Sequence, residues 1–301
     1  MHVTVCVGTR GGDARCVATI RSILRSNYDD FDVVVVDQGR DPVVAQALQR
    51  EFGSDLRLRH VTSNRVGASA ARNVAANVAR GPLLAYTDDD CEVAPDWVST
   101  FVSAFEMRPR VGLIFGSVKS GTLRTGGFVP DYQIQDAQLL TKPVQMWRSH
   151  GISANMAVRL QTIRLVGGFD EILGSGAPLP SCEDWDIAYR VLKSGSWVFE
   201  LPESHVVHFG FRTWEQARTL MRRTGLAAGA TWMKYVRLRD FAILPTLILS
   251  AFHGISWPRL LLFRKRSGAT WLVTYAMGIA ASFKFAVDKQ NRVYRAKPGT
   301  V

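Results

Sequence analysis

Three acids in a row, Asp88-Asp89-Asp90, follow a short apolar run and Thr87. Adjacent carboxylates repel one another unless something positive sits among them. At the carboxyl end of a strand in an open α/β sheet they would face the crevice where ligands bind. Such oxygen donors suit Mg2+ or Mn2+, and a cation there offsets charge on a departing diphosphate. A turn or a helix cap before Pro95 is the plainer alternative. A second acidic group, Cys182-Glu183-Asp184-Trp185-Asp186, follows a glycine-rich stretch and opens a helix. The helix dipole stabilises acids at that end, so capping alone would account for them. A carboxylate beside a bound acceptor would instead serve as general base for its hydroxyl. Asp184 is the candidate, with Trp185 either a stacking face or a core residue.

Three weaker sets accompany these. Gly67-Ala-Ser-Ala-Ala-Arg72-Asn73 opens a helix with small residues and sets Arg72 one turn inside. Helix N-termini attract phosphates, and a guanidinium fork holds a phosphate or a base edge; close packing is the alternative. Asp37-Gln38-Gly39 ends a buried run, where it would bond a nucleotide base or simply turn the chain. His205-Val-Val-His208 offers imidazoles, and His208 would complete a Mn2+ site begun by carboxylates, or be an ordinary histidine.

The elements that must position these groups read as α/β. Val3–Val7, Phe31–Val36, Leu56–Val61, Leu83–Tyr86 and Val111–Val118 are strand-like. The unbroken Phe-Asp-Val-Val-Val-Val run indicates a strand buried on both faces. Helical periodicity falls between them, at Pro42–Glu51, Ala68–Val78 and Pro95–Met107. The alternation predicts right-handed crossovers and a mostly parallel sheet. Residues 119–150 read as a long loop over a site. A strand near Ile152–Val158, a helix near Asp184–Lys193, two short strands at Trp197–Leu201 and His205–Phe209, and a helix at Glu215–Tyr235 follow.

The 301 residues are 47% hydrophobic and 21% charged, which excludes wholesale disorder. Four cysteines without paired spacing argue against a secreted disulfide scaffold. Without a basic segment and apolar run after Met1, no signal peptide is expected. The net charge of +11 is unevenly held: residues 1–204 carry 21 Lys/Arg against 23 Asp/Glu, and residues 205–301 carry 16 against 3. Phe241–Pro258 and Ser267–Phe283 contain no acid, Lys or Arg. Each approaches the ~18–20 residues that cross a bilayer. Pro245 and Pro258 interrupt the first, and Arg264-Lys265-Arg266 between them would lie on the wrong side of a full hairpin. Interfacial helices, a shallow or spanning hairpin and a buried pair stay open, with spanning disfavoured. A basic segment laced with apolar residues suits an anionic membrane surface at least as well as a polyanion, so no nucleic-acid partner is expected.

In order and spacing, these residues resemble the family 2 glycosyltransferases of the GT-A fold over about residues 3–210. The likeness is carried by Val3–Thr9, Asp37-Gln38-Gly39-Arg40, Gly67–Asn73, and the D-x-D pattern Asp88 to Asp90 with Pro95-Asp96-Trp97. Asn155-Met156 with Arg159, Gly-Gly-Phe-Asp-Glu at 167–171, Glu183-Asp184 with Arg190, and His208 complete it. The resemblance implies a GT-A catalytic domain over 1–212, with a nucleotide-sugar half at 1–118 and an acceptor half at 119–212. A helical, membrane-associating extension then covers 213–301. It places Thr9, Arg10, Asp37, Gln38, Arg72, Asp88 and Asp89 around the nucleotide. Asp90, Asp88 and His208 would hold Mn2+ or Mg2+, and Glu183, Trp185 and Asn155 would meet the acceptor. Asp184 would deprotonate the acceptor hydroxyl for one inverting displacement.

Gln38 stands where relatives carry a second, base-contacting Asp. Its amide can accept from a uracil or thymine imide, so a UDP- or dTDP-sugar is the expected donor, for hexosyl or deoxyhexosyl transfer. No Gln-x-x-Arg-Trp follows His208, which implies transfer of a single sugar. The expected acceptor is a sugar or a lipid-linked molecule, in bacterial-type cell-surface polysaccharide or glycolipid assembly, at the inner face of the cell membrane. A metal-dependent nucleotidyltransferase and a non-catalytic basic membrane- or nucleic-acid-binding protein are the alternatives. The second leaves the triple Asp idle.

Overall fold

The valine run decides the centre of the sheet. In the computed structural model, which describes residues 1–11, 14–122, 125–149, 151–253 and 266–297, strand β2 (Phe31–Asp37) is buried at every position. β-branched residues fit a pleated surface, and burial on both faces demands helices above and below. β1 (Val3–Thr9) pairs with β2 in parallel, Thr9 opposite Asp37. β3 (Leu58–Thr62) pairs in parallel on the other side of β2, and β4 (Leu83–Asp88) pairs in parallel with β1, Asp88 opposite Gly8. The crossovers are α1 (Ala14–Leu24), α2 (Val43–Phe52) and α3 (Ala68–Val78). This register brings Thr9, Asp37 and Asp88 to one carboxyl edge.

Beyond β4 the sheet becomes mixed. The elements are β5 (Cys91–Val93), α4 (Trp97–Met107), β6 (Val111–Ser120), β7 (Gly127–Phe128), β8 (Gln138–Leu140), β9 (Met156–Arg159), α5 (Leu160–Leu165), α6 (Glu183–Lys193) and β10 (Trp197–His208). The strand order is β3-β2-β1-β4-β9-β6-β10-β5, with β8 on β10. β9 runs antiparallel to both β4 and β6. The two short strands expected at 197–209 are instead the single β10, with a register shift between Leu201 and His205. The stretch 119–150 holds β7, β8 and a 3-10 helix at Pro143–Arg148.

β11 (Arg212–Thr213), α7 (Trp214–Arg237), α8 (Leu244–His253), α9 (Arg266–Ala281), β12 (Ala286–Asp288) and β13 (Val293–Arg295) complete the chain. Thr213 caps α7 in a reciprocal box with Gln216. Ala227, Ala228, Trp232 and Tyr235 of α7, Trp271 and Tyr275 of α9 and Tyr294 of β13 share one apolar core with Tyr86, Phe115, Met156 and Ile187. Helices α7 and α9 approach backbone to backbone: a Cβ at Gly229 would lie 2.1 Å from the Tyr275 carbonyl oxygen, and one at Gly278 would lie 2.1 Å from that of Leu226. The outward sides stay apolar and exposed at Ile248, Phe252, Val273 and Met277. Among the described residues no helix is long and apolar enough to cross a membrane. Arg264 and Lys265 of the basic triplet lie outside the described residues.

Gly229→Val is expected to destabilise the fold by about 1–3 kcal/mol through overpacking, read as a lower midpoint in urea unfolding. An unchanged midpoint would mean that α7 and α9 do not touch as described.

Candidate active site

The register of β10 builds the first half of the site. β10 pairs antiparallel with β5, so His208 stands opposite Cys91, and the Phe209 N–H donates to the Asp90 carbonyl at 2.9 Å. His208 Nε2 thereby lies 3.3 Å from Asp90 Oδ1. Asp90, Cys91 and His208 bring one ligand atom each within 4.8 Å of one another. Burial pushes the Asp90 carboxyl above the ordinary carboxylate value; His208 opposes this and Asp88 adds to it. Burial also pushes the Cys91 thiol far up, and its soft sulfur suits Mn2+ or Mg2+ less well than oxygen or imidazole donors do. A carboxylate and an imidazole together fit a divalent cation, Mn2+ better than Mg2+. Space is made by Gly210, where a Cβ would come within 2.4 Å of Asp90 Oδ2 and 2.6 Å of His208 Cε1.

The second half is a chain of charges from α3 to α6. Arg72 donates to Glu183 Oε1 at 3.1 Å through Nη1 and to Asp88 Oδ1 at 3.4 Å through Nη2. Burial works against the Arg72 charge, but Glu183 and Asp88 more than restore it, so the guanidinium pKa is raised. Beside this bridge, Asp184 is 9% exposed. Its Oδ1 accepts the Trp185 N–H at 2.9 Å and its Oδ2 accepts the Ser153 N–H at 3.3 Å. Burial, reinforced by Glu183 and opposed by Arg72, pushes the Asp184 carboxyl up to about 7. A carboxyl poised near neutrality is suited to take a proton from a substrate hydroxyl. The helix starts sharply: Cys182 takes a left-handed φ of 69° directly before Glu183.

On the nucleotide side, Asp37 is buried; its Oδ1 accepts the Gly39 N–H at 2.8 Å and its Oδ2 meets His60 Nε2 at 3.1 Å. Thr9 Oγ1 donates to Asp89 Oδ2 at 2.6 Å, which turns Asp89 toward β1. Arg10 is exposed at the end of β1. Two expectations need correction. The Gln38 amide does not present itself to a base, because Nε2 donates to the Arg65 and Gly67 carbonyls at 2.6 and 3.0 Å and Oε1 accepts the Gly67 N–H at 3.3 Å. Asn155 does not face an acceptor. It is fully buried, and its amide is consumed by the Ser117 and Ser204 carbonyls and by Trp97 Nε1.

Trp185 stacks on Trp232, centroids 6.3 Å apart and planes 7° from parallel. Asp88 turns to Arg72 and stands outside the Asp90–His208 cluster. Sequence reasoning missed Gly210, Ser153 and Cys91. A glycine two residues after a candidate ligand was a usable signal for the first. A backbone N–H leaves no residue-type signal for the second.

A family model described as Glycosyl transferase family 2 matches residues 4–163, just over half of the chain. A glucosyl-dolichyl phosphate glucuronosyltransferase of Haloferax volcanii is 30% identical over 119 residues, covering 39% of this chain and 38% of that protein. An uncharacterized glycosyltransferase of Haemophilus influenzae is 22% identical over 195 residues, covering 65% and 63%. The chain spans between 14% and 63% of the length of the curated relatives it matches. Among solved structures, the mannosyltransferase PcManGT from Pyrobaculum calidifontis, in complex with GDP-Man and Mn2+, superposes with a TM-score of 0.62 at 18% identity, over 94% of this chain and 86% of that one. Residues 1–349 of S. aureus TarS, in complex with UDP-GlcNAc, give 0.57 at 14% identity, over 96% and 95%. The α/β architecture is that of the GT-A glycosyltransferases.

Asp184→Asn is expected to raise the melting temperature. An unfolded Asp ionises near pH 3.9, whereas the folded carboxyl ionises at about 7, so the native state loses stability as pH rises between those values. The gain from Asn should grow from pH 4 to pH 7 and stay flat above. A gain that does not change with pH would show that Asp184 is not a buried, raised carboxyl.

Proposed function

The chain belongs to glycosyl transferase family 2, and from that premise we propose that it moves one sugar from a nucleoside diphosphate donor to an acceptor hydroxyl, inverting the anomeric carbon. The observation that carries this is Asp184, buried at the start of α6 with its carboxyl held up to about 7 and coupled through Glu183 and Arg72 to Asp88. Asp184 accepts the acceptor proton as the hydroxyl oxygen attacks the anomeric carbon. The bond from that carbon to the diphosphate oxygen breaks on the opposite face, and the electron pair leaves with the diphosphate. Asp90 and His208 would hold Mn2+ or, less favourably, Mg2+. When bound, the cation offsets charge on the leaving diphosphate. Asp37, fixed by Gly39 and His60, keeps lone pairs free for the imide N–H of uracil or thymine, and Thr9, Arg10 and Asp89 line the same edge. Glu183 and Trp185 flank the acceptor side.

We assign the C-terminal helices to the inner face of the cell membrane, where a lipid-linked acceptor would be met. Ile248, Phe252, Val273, Met277 and Phe283 are exposed, and Arg218, Arg222 and Arg223 of α7 are exposed as well. Each cation near an anionic leaflet contributes about 1 kcal/mol, and the exposed apolar side chains add to that.

Incubation with UDP-, dTDP- and GDP-sugars, with Mn2+, Mg2+ or EDTA, tests the reaction. Metal-dependent release of free nucleoside diphosphate from one donor is expected, with a rate that climbs as pH passes through 7. Asp184→Asn should lose roughly 10²–10⁴-fold in turnover while still binding donor. Gly210→Ala should lose the metal response. Release of sugar 1-phosphate, with the nucleoside monophosphate passed on, would instead mark a nucleotidyltransferase.

Co-sedimentation with phosphatidylglycerol vesicles tests the membrane. Binding to these and not to phosphatidylcholine vesicles is expected, weakened by Phe252→Ser with Val273→Ser. A protein that ignores both vesicle types would exclude the membrane assignment.

A further inference from the structure

Behind the Glu183-Asp184 turn lies a buried charge cluster that the chemistry above does not use. Lys234 of α7 is 0% exposed. Its Nζ donates to Asp170 Oδ2 at 2.8 Å and to Asp186 Oδ1 at 2.5 Å. Asp186 also accepts from Arg190 Nε at 2.9 Å and from the Tyr235 hydroxyl at 2.6 Å. Asp170 accepts the Tyr294 N–H at 2.7 Å and the Ile172 N–H at 3.1 Å. Two cations face two carboxylates, and formal charge balances.

Stability alone does not explain such a cluster. The desolvation of buried ions cancels most of their attraction, and apolar residues of similar volume commonly do as well. What the cluster supplies is direction. One ammonium, held by two carboxylates on separate elements, permits a single register among them. Asp186 sits two residues after Asp184 in the first turn of α6. Asp170 follows Phe169, whose carbonyl and N–H bond the Asn73 amide of α3 at 3.0 and 2.7 Å. Asn73 adjoins Arg72, the residue that pairs with Glu183. Lys234 therefore stands where α6 and the loop gripping α3 are both tied to α7.

We propose that Lys234 is a positioning residue for the transfer reaction: by bridging Asp170 and Asp186 it sets α6 so that Asp184 faces the acceptor, which makes α7 part of the catalytic apparatus. This rests on Asp184 being the base. The test uses the full chain as Lys234→Met and as Lys234→Met with Asp170→Asn, the second restoring charge balance.

The single variant should keep donor affinity within about twofold, because the nucleotide edge lies on β1, β2 and β4, while kcat falls roughly tenfold or more through misplacement of the base. The double variant should regain much of the melting temperature but not kcat. The near-ultraviolet circular dichroism of the Trp185–Trp232 stack, which spans α6 and α7, should change in both. Recovery of kcat together with melting temperature in the double variant would reduce Lys234 to a stabilising role and overturn the proposal, as would wild-type kcat in Lys234→Met. An unchanged Trp signal in the double variant would overturn it too, and does so even if the wild type turns over no donor, the result that sinks the transferase reading itself.

Discussion

Arg72 joins two carboxylates that the chain contributes from opposite ends of the catalytic region, Asp88 at the close of β4 and Glu183 at the start of α6. Three acids and one guanidinium, all packed against the sheet edge, cannot be arranged freely. Without Arg72, Asp88, Glu183 and Asp184 would repel one another in a poorly solvated space. With it, two carboxylates are paired and the third is left with its proton affinity raised. Burial holds the Asp184 carboxyl above the ordinary value, reinforced by Glu183, even though Arg72 pulls it down. The same bridge engages Asp88, which stands outside the cluster formed by Asp90, Cys91 and His208.

That arrangement depends in turn on backbone register. His208 reaches Asp90 because β10 runs antiparallel to β5, and β5 begins where the triple Asp ends. A slip of one residue along β10 would turn His208 to the other face of the sheet. Asn155, directly before β9, donates to the Ser117 carbonyl of β6 and the Ser204 carbonyl of β10 and accepts the Trp97 indole N–H of α4, which ties the start of β9 to those three elements.

Much of this was legible in the sequence. The β-branched valine run of β2 pointed to a strand buried on both faces, and the acids after β4 and before α6 stood at the ends of recognisable elements. The site residues that misled did so for a common reason: a side chain's type does not reveal which neighbour will consume its hydrogen bonds. Gln38 carried the right groups for a base, yet the Arg65–Gly67 turn takes both of its amide hydrogens and also bonds Oε1. The antiparallel course of β9 leaves no local pattern, because a strand buried on both faces looks the same in either direction. Lys234 had no signal at all, being one lysine in an alanine- and aromatic-rich helix whose partners are 48 and 64 residues away.

The C-terminal third posed a choice between a buried helix pair and an exposed apolar face, and the fold answers with both. Small residues decide which side is which. Gly225, Gly229 and Gly278 let α7 and α9 meet closely, with Trp232, Tyr235, Trp271 and Tyr275 buried around that contact and Ile248, Phe252, Val273 and Met277 of α8 and α9 left exposed. A helix pair held this way is stiff across its contact, since neither backbone can shift without meeting the other's carbonyls. α7 runs from that contact to Lys234 and Tyr235 within a few turns of one helix. The exposed face of α9 is therefore tied, through its backbone contact with α7, to the helix that carries Lys234.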